Sequence, residues 1–81
     1  LELVELTVPP GAKRKIAAAE PGRSAEAFVY IVSGTGHLLA DDETRTLGPG
    51  DLAGLSPSPA TLEFANAGSN PLVVLFGRAR D

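Results

Sequence analysis

"EAFVYIVSGTGHLLA", Glu26 to Ala40, is the stretch on which the reading of this chain turns. Its first half is dense in aromatic and β-branched residues, which suit the pleated backbone of a strand. Side chains of a strand alternate between its two faces. Ala27, Val29 and Ile31 therefore share one face, and Phe28, Tyr30 and Val32 share the other. Both faces are apolar. A second strand follows Gly34 and Gly36, with Leu38 and Ala40 on one side and His37 and Leu39 on the other.

The same period of two runs outward in both directions. "ELVELTV" (2–8) sets Val4, Leu6 and Val8 against Glu5 and Thr7, and Pro9, Pro10 and Gly11 stop it. "RKIAAA" (14–19) is a short strand. "EPGRSA" (20–25) is an irregular loop, because Pro21 lacks a backbone donor and Gly22 tolerates positive φ. "DDE" (41–43) turns into "TRTL", "GPGD" (48–51) turns into "LAGL", and "SPSP" (56–59) breaks that run. "ATLEFAN" sets Leu62 and Phe64 opposite Thr61 and Glu63, and "AGSNP" (67–71) leads into "LVVLFGRA", again apolar on both faces. About eight short strands separated by turn residues, with no amphipathic helix, repeat or linker, predict one all-β domain over 1–81, a sandwich or closed barrel.

The bulk composition narrows the function. A net charge of −3 argues against a nucleic-acid partner or an anionic membrane surface, both of which need clustered Lys and Arg. There is no Cys for disulfides or thiolate sites, and a single His is too few for a His-rich metal site. No apolar run reaches the roughly 18–20 residues of a membrane span, and no charged-then-apolar segment opens the chain. A cytoplasmic location is expected. The start at Leu1 leaves room for a longer polypeptide.

At "VPPGA", "FVYIVSGTGHLLADDETRTLGPGDLAGL" and "EFANAGSNPLVVL" the chain resembles the cupins, small jelly-roll β-barrels. The resemblance covers nearly the whole chain and rests on the order and spacing of its pieces. In metal-binding cupins a first motif carries His-x-His, then a Glu, then a Gly. Anchored on Gly34, the Glu position falls on Ala27, and the His pair on Pro21 and Arg23 or on Glu20 and Gly22. Glu26 is one residue off, which turns its side chain to the opposite face. The second motif carries a His ahead of an Asn, and its position falls on Leu62 or Thr61. Cupin metals want imidazole or carboxylate donors at about 2.0–2.2 Å. The resemblance therefore implies a cupin with no metal and no cofactor. Its interior, lined by Ala27, Val29, Ile31, Leu62 and Phe64, is oily and either packed solid or open to a small apolar ligand. "AFVYIVSGTG", "LGPGDLAGLS" and "PLVVLFGRARD" further resemble the C-terminal barrel of pirin-like bicupins, whose metal sits in the other barrel.

Individual residues add little catalytic signal. His37 is the only candidate proton shuttle, and it lies outside the core if Leu38 and Ala40 face inward. Asp41, Asp42 and Glu43 read as a solvated hairpin turn rather than a calcium loop. Asp51 is expected to tie down its own turn, and Lys13-Arg14-Lys15 to mark a solvated edge. Phe28, Tyr30 and Val32 need a cover, and a partner subunit would supply one. The favoured reading is a metal-free cupin acting as a binding or structural module, a homodimer. The alternatives are a small isomerase- or dioxygenase-like cupin enzyme with an atypical site, and a ligand-sensing domain of a longer regulatory protein.

Overall fold

The computed structural model describes residues 2–18, 26–40, 42–55 and 61–78. They form eight strands: β1 (Glu2–Val8), β2 (Lys13–Ala17), β3 (Ala27–Ser33), β4 (Gly36–Ala40), β5 (Glu43–Leu47), β6 (Leu52–Leu55), β7 (Thr61–Ala65) and β8 (Leu72–Arg78). The strands build two antiparallel sheets, ordered β1-β8-β3-β6 and β2-β7-β4-β5, the face-to-face arrangement of a jelly-roll sandwich. Each strand expected from the alternating pattern is present. Among the described residues no helix is long and apolar enough to cross a membrane.

Pairing across each sheet lines up the inward side chains in rows. In the first sheet Val4, Phe76, Val29 and Ala53 share a row, and Leu6, Val74 and Ile31 share the next. In the second sheet Arg14, Phe64, Leu38 and Arg45 share a row, beside Ile16, Leu62, Ala40 and Glu43. Val29, Ile31, Val74, Leu38, Leu62 and Phe64 are fully buried and meet between the sheets as one core. Arg14 and Arg45 continue the core row onto the two edge strands and stay exposed. Charges at these inward positions discourage pairing with another chain. The Lys13-Arg14-Lys15 run thus lies on a solvated edge, as its composition suggested.

One inward residue departs from expectation. Val4 shares parity with Leu6 and Val8 but remains 44% exposed. β1 is an edge strand, and near its start the facing Ile16 and Ala17 leave a cavity beside Val4 rather than closing on it.

The turns at the opposite end are held by specific hydrogen bonds. The Asp51 carboxylate accepts from the Gly48 N–H at 2.7 Å, as expected for this turn. The same turn docks on β3: the Ile31 N–H donates to the Asp51 carbonyl at 3.0 Å, and the Gly50 N–H to the Ile31 carbonyl at 2.8 Å. Beyond Ile31 the β3–β8 register slips, with Ser33 rather than Val32 opposite Val73. Gly34 turns the chain at φ +85°, and its α-carbon stands so close to the Pro71 carbonyl and the Leu72 backbone that a side chain would collide with both.

Asn66 is the buried polar residue of this end, 2% exposed. Its side-chain amide donates to the Val8 carbonyl at 2.9 Å and the Asn70 carbonyl at 2.8 Å, while its Oδ1 accepts from the Gly68 N–H at 3.0 Å. Its backbone exchanges bonds with the first turn, donating to the Ala12 carbonyl and accepting from the Gly11 N–H. One side chain thereby joins the end of β1 to the turn between β7 and β8.

Replacing Asn66 with Ala strands these backbone groups and is expected to cost about 2 kcal/mol, or a fall in Tm of roughly 8–16 °C in a domain this small. Thermal unfolding followed by circular dichroism reads it, and a fall under about 2 °C would show that water replaces the amide without penalty. Gly50→Ala should cost about 1–2 kcal/mol, since Gly50 has φ +84° but open space around it. Gly34→Ala should cost clearly more in urea unfolding, because it adds a backbone collision to the same strain. Equal losses would mean that the chain at Pro71 yields.

Candidate functional site

The interior residues expected to line a ligand space, Ala27, Val29 and Ile31 on β3 and Leu62 and Phe64 on β7, are all buried and brought together in the core. Ala27 and Leu62 hold the places where the cupin resemblance puts a Glu and a His. Both are buried hydrocarbon, while the alternative position, Thr61, is exposed. The His-pair positions, 20–23, lie outside the described residues. Among the described residues no three His, Cys, Asp or Glu side chains gather to hold a metal ion. The donor chemistry at Ala27 and Leu62 does not fit a cupin metal.

The outer face of the first sheet is apolar in the same ordered way. Leu3, Gly77, Phe28 and Gly54 form one outward row, and Glu5, Leu75, Tyr30 and Leu52 form the next. Gly77 has no side chain because the Phe28 ring lies in the place a Cβ would occupy. Leu3 is 56% exposed, Tyr30 37%, Val32 48% and Leu52 68%. Phe28, Val73 and Leu75 are half-buried between them. Phe28, Tyr30 and Val32 thus stand on the outward side of β3.

The outer face of the second sheet is different in kind. Lys13, Ala65, His37 and Thr46 make one outward row, and Lys15, Glu63, Leu39 and Thr44 the next. His37 lies on this side, opposite the core-facing Leu38, and its Nδ1 is 3.2 Å from the Thr46 hydroxyl. Among the described residues no carboxylate pairs with it, and the arrangement is that of a surface His on a polar sheet. Asp42 and Glu43 are exposed, with Glu43 3.9 Å from Arg45, as a solvated turn would have them, and Asp41 lies outside the described residues.

A partly enclosed cavity of about 220 Å³ opens where β1 begins and β8 ends, lined by Glu2, Val4, Ile16, Ala17, Phe76 and Arg78. Glu2 and Arg78 pair directly across the β1–β8 ladder. The Glu2 Oε1 accepts from both Nε and Nη2 of Arg78 at 3.0 Å. Neither residue stood out in the sequence reading, although parity carries the signal. Arg78 falls on the inward face with Leu72, Val74 and Phe76, and Glu2 on the inward face with Val4, Leu6 and Val8.

Comparison with solved structures returns the same architecture. The chain matches the cupin domain of an XRE-family transcriptional regulator from Enterobacter cloacae at TM-score 0.81 and 22% identity, covering 98% of this chain and 80% of that one. A de novo designed double-stranded β-helix matches at 0.77 and 17% identity, over 98% of this chain and all of the design. A sugar phosphate isomerase of the cupin superfamily from Silicibacter pomeroyi matches at 0.70 and 24% identity, where the chain spans half of that protein's length. At these identities the likeness is one of fold. No curated protein matches the chain. The family model for the cupin domain, Cupin_2, matches residues 4–77, nearly the full set of strands described above, and the chain therefore belongs to the cupins.

Proposed function

We propose that this cupin is a metal-free binding or structural module that pairs with a second copy of itself through the outer face of the β1-β8-β3-β6 sheet. The observation that carries the reading is the difference between the two outer faces. One presents Leu3, Phe28, Tyr30, Val32, Leu52 and Leu75 with Glu5 at its edge, and the other surrounds Leu39 and Ala65 with Lys13, Lys15, His37, Thr44, Thr46 and Glu63. Contiguous apolar faces are uncommon on monomers and mark interaction sites. A two-fold pairing lets one patch cover itself, with Tyr30 central in its row as aromatic anchors tend to be. Support for the metal-free part is the hydrocarbon at Ala27 and Leu62. An isomerase- or dioxygenase-like activity would call for a polar cluster inside the barrel, whereas the core rows there are apolar and His37 is on the far side of its sheet.

A second reading, a ligand-sensing domain within a longer regulatory protein, is favoured by the match to the regulator's cupin domain, which aligns with nearly all of this chain. The two readings are compatible, since a sensing domain can also pair.

Size-exclusion chromatography with light scattering should give twice the chain mass at micromolar concentrations. Tyr30→Asp combined with Leu52→Asp should give a folded monomer by the same measurement and by circular dichroism. A strict monomer for the unaltered protein up to millimolar concentration would remove the pairing. A thermal-shift series with Mn²⁺, Fe²⁺, Ni²⁺ and Zn²⁺ should leave Tm unchanged, whereas saturation at about 100 times Kd would add roughly 2.7 kcal/mol. A shift reversed by chelator would overturn the metal-free assignment.

A further inference from the structure

The cavity between the start of β1 and the end of β8 is lined by the Glu2–Arg78 pair and by the apolar Val4, Ile16, Ala17 and Phe76. We infer that it binds a small monocarboxylate whose apolar body is about the size of one ring, with Arg78 taking the carboxylate. This rests on reading the chain as a binding module and adds the class of ligand.

The argument begins with the guanidinium fork. Arginine carries five N–H donors in a plane and offers two edges to a carboxylate. Glu2 occupies the edge made by Nε and Nη2, using a single oxygen for both bonds. The other edge, Nη1 with the second hydrogen of Nη2, has no partner among the described residues. On the far side of Arg78 in the same inward row stands Ala27, whose side chain ends at Cβ and offers nothing to compete for that edge. The guanidinium is also the deeper member of its ion pair, its side chain 21% exposed against 38% for Glu2. A charge held in partly desolvated surroundings attracts a counter-charge more strongly than one in open water.

The remaining walls set the rest of the ligand. Val4, Ile16 and Phe76 present only hydrocarbon. A cavity of ~150 Å³ suffices for benzene, so about 220 Å³ leaves space for a ring and one carboxylate. The exposure of Val4 fits this role, because an apolar side chain beside an open cavity gains cover when a ligand body lies against it. The site is on the inward side of the first sheet, and the proposed pairing surface is on its outward side, so the two can be occupied together.

Benzoate is the probe and benzyl alcohol its uncharged counterpart, each titrated into the uniformly ¹⁵N-labelled protein. Benzoate should move the amide resonances of Val4, Ile16, Phe76 and Arg78 in a saturable way and bind at least tenfold more tightly than benzyl alcohol. Arg78→Gln should weaken benzoate at least tenfold and leave benzyl alcohol unaffected. Should that variant fail to fold, Val4→Phe, which fills the space and keeps the guanidinium, must abolish benzoate binding. No saturable shift with benzoate overturns the inference, and so does equal affinity for the two probes. Light scattering on the same samples separates the claims: a dimer without benzoate binding sinks the ligand assignment alone, and a monomer that binds benzoate sinks the pairing alone.

Discussion

Strand β8 lies between β1 and β3, and every residue in it must suit two ladders at once. That constraint fixes most of the molecule. Leu72, Val74, Phe76 and Arg78 face inward, so their partners Val8, Leu6, Val4 and Glu2 on β1 and Ile31, Val29 and Ala27 on β3 must face inward too. A slip of one residue would turn the whole core outward. The outward set is equally constrained. Gly77 can only be glycine while the Phe28 ring covers it, and Leu75 sits between Glu5 and Tyr30. The register slip after Ile31 comes where β3 has already traded its backbone bonds with the Gly50–Asp51 turn, which lets the strand end without leaving buried donors unpaired.

The two sheets treat their outer surfaces in opposite ways. In the β2-β7-β4-β5 sheet Lys13, Lys15, Glu63, Thr44 and Thr46 alternate with core residues, which is the pattern of a sheet that faces water on one side. In the β1-β8-β3-β6 sheet the two central strands are apolar on both sides, so burial of the inner face leaves the outer face needing cover. The first sheet also carries more of the buried hydrocarbon, with Val29, Ile31, Leu72, Val74 and Phe76 among its inward residues against Leu38, Leu62 and Phe64 from the second.

Much of this was legible in the sequence, for identifiable reasons. Alternation is local, so the eight strands, the outward place of His37 and the two-faced character of β3 follow from counting by two. Gly50–Asp51 and Pro9–Gly11 are turn chemistry that needs no tertiary context. The absence of donors at Ala27 and Leu62 is a matter of residue type once the family pattern is laid on the chain. What counting could not supply is lateral. Glu2 and Arg78 are at opposite ends of the chain and become partners only through the β1–β8 ladder. Val4 has the parity of a core residue but the position of an edge, and only the assembled sheets place it beside a cavity. Asn66 closes the "ATLEFAN" run in the sequence, while its grip on Val8 depends on a contact spanning most of the chain.

Among the described residues, polar side chains reach into the sandwich at its two ends. At one end Asn66 meets its hydrogen-bonding needs with Val8, Asn70 and Gly68, and at the other Arg78 and Glu2 meet beside the cavity. Between them the described core is hydrocarbon. A lone imidazole or carboxylate at Leu62 or Ala27 would be a buried polar group without the metal or partner donors that make such a group tolerable, at a cost of several kcal/mol. With hydrocarbon at both, Ala27 and Leu62 are buried in the core, and Arg78 stands beside Ala27 across the β3–β8 ladder, paired with Glu2.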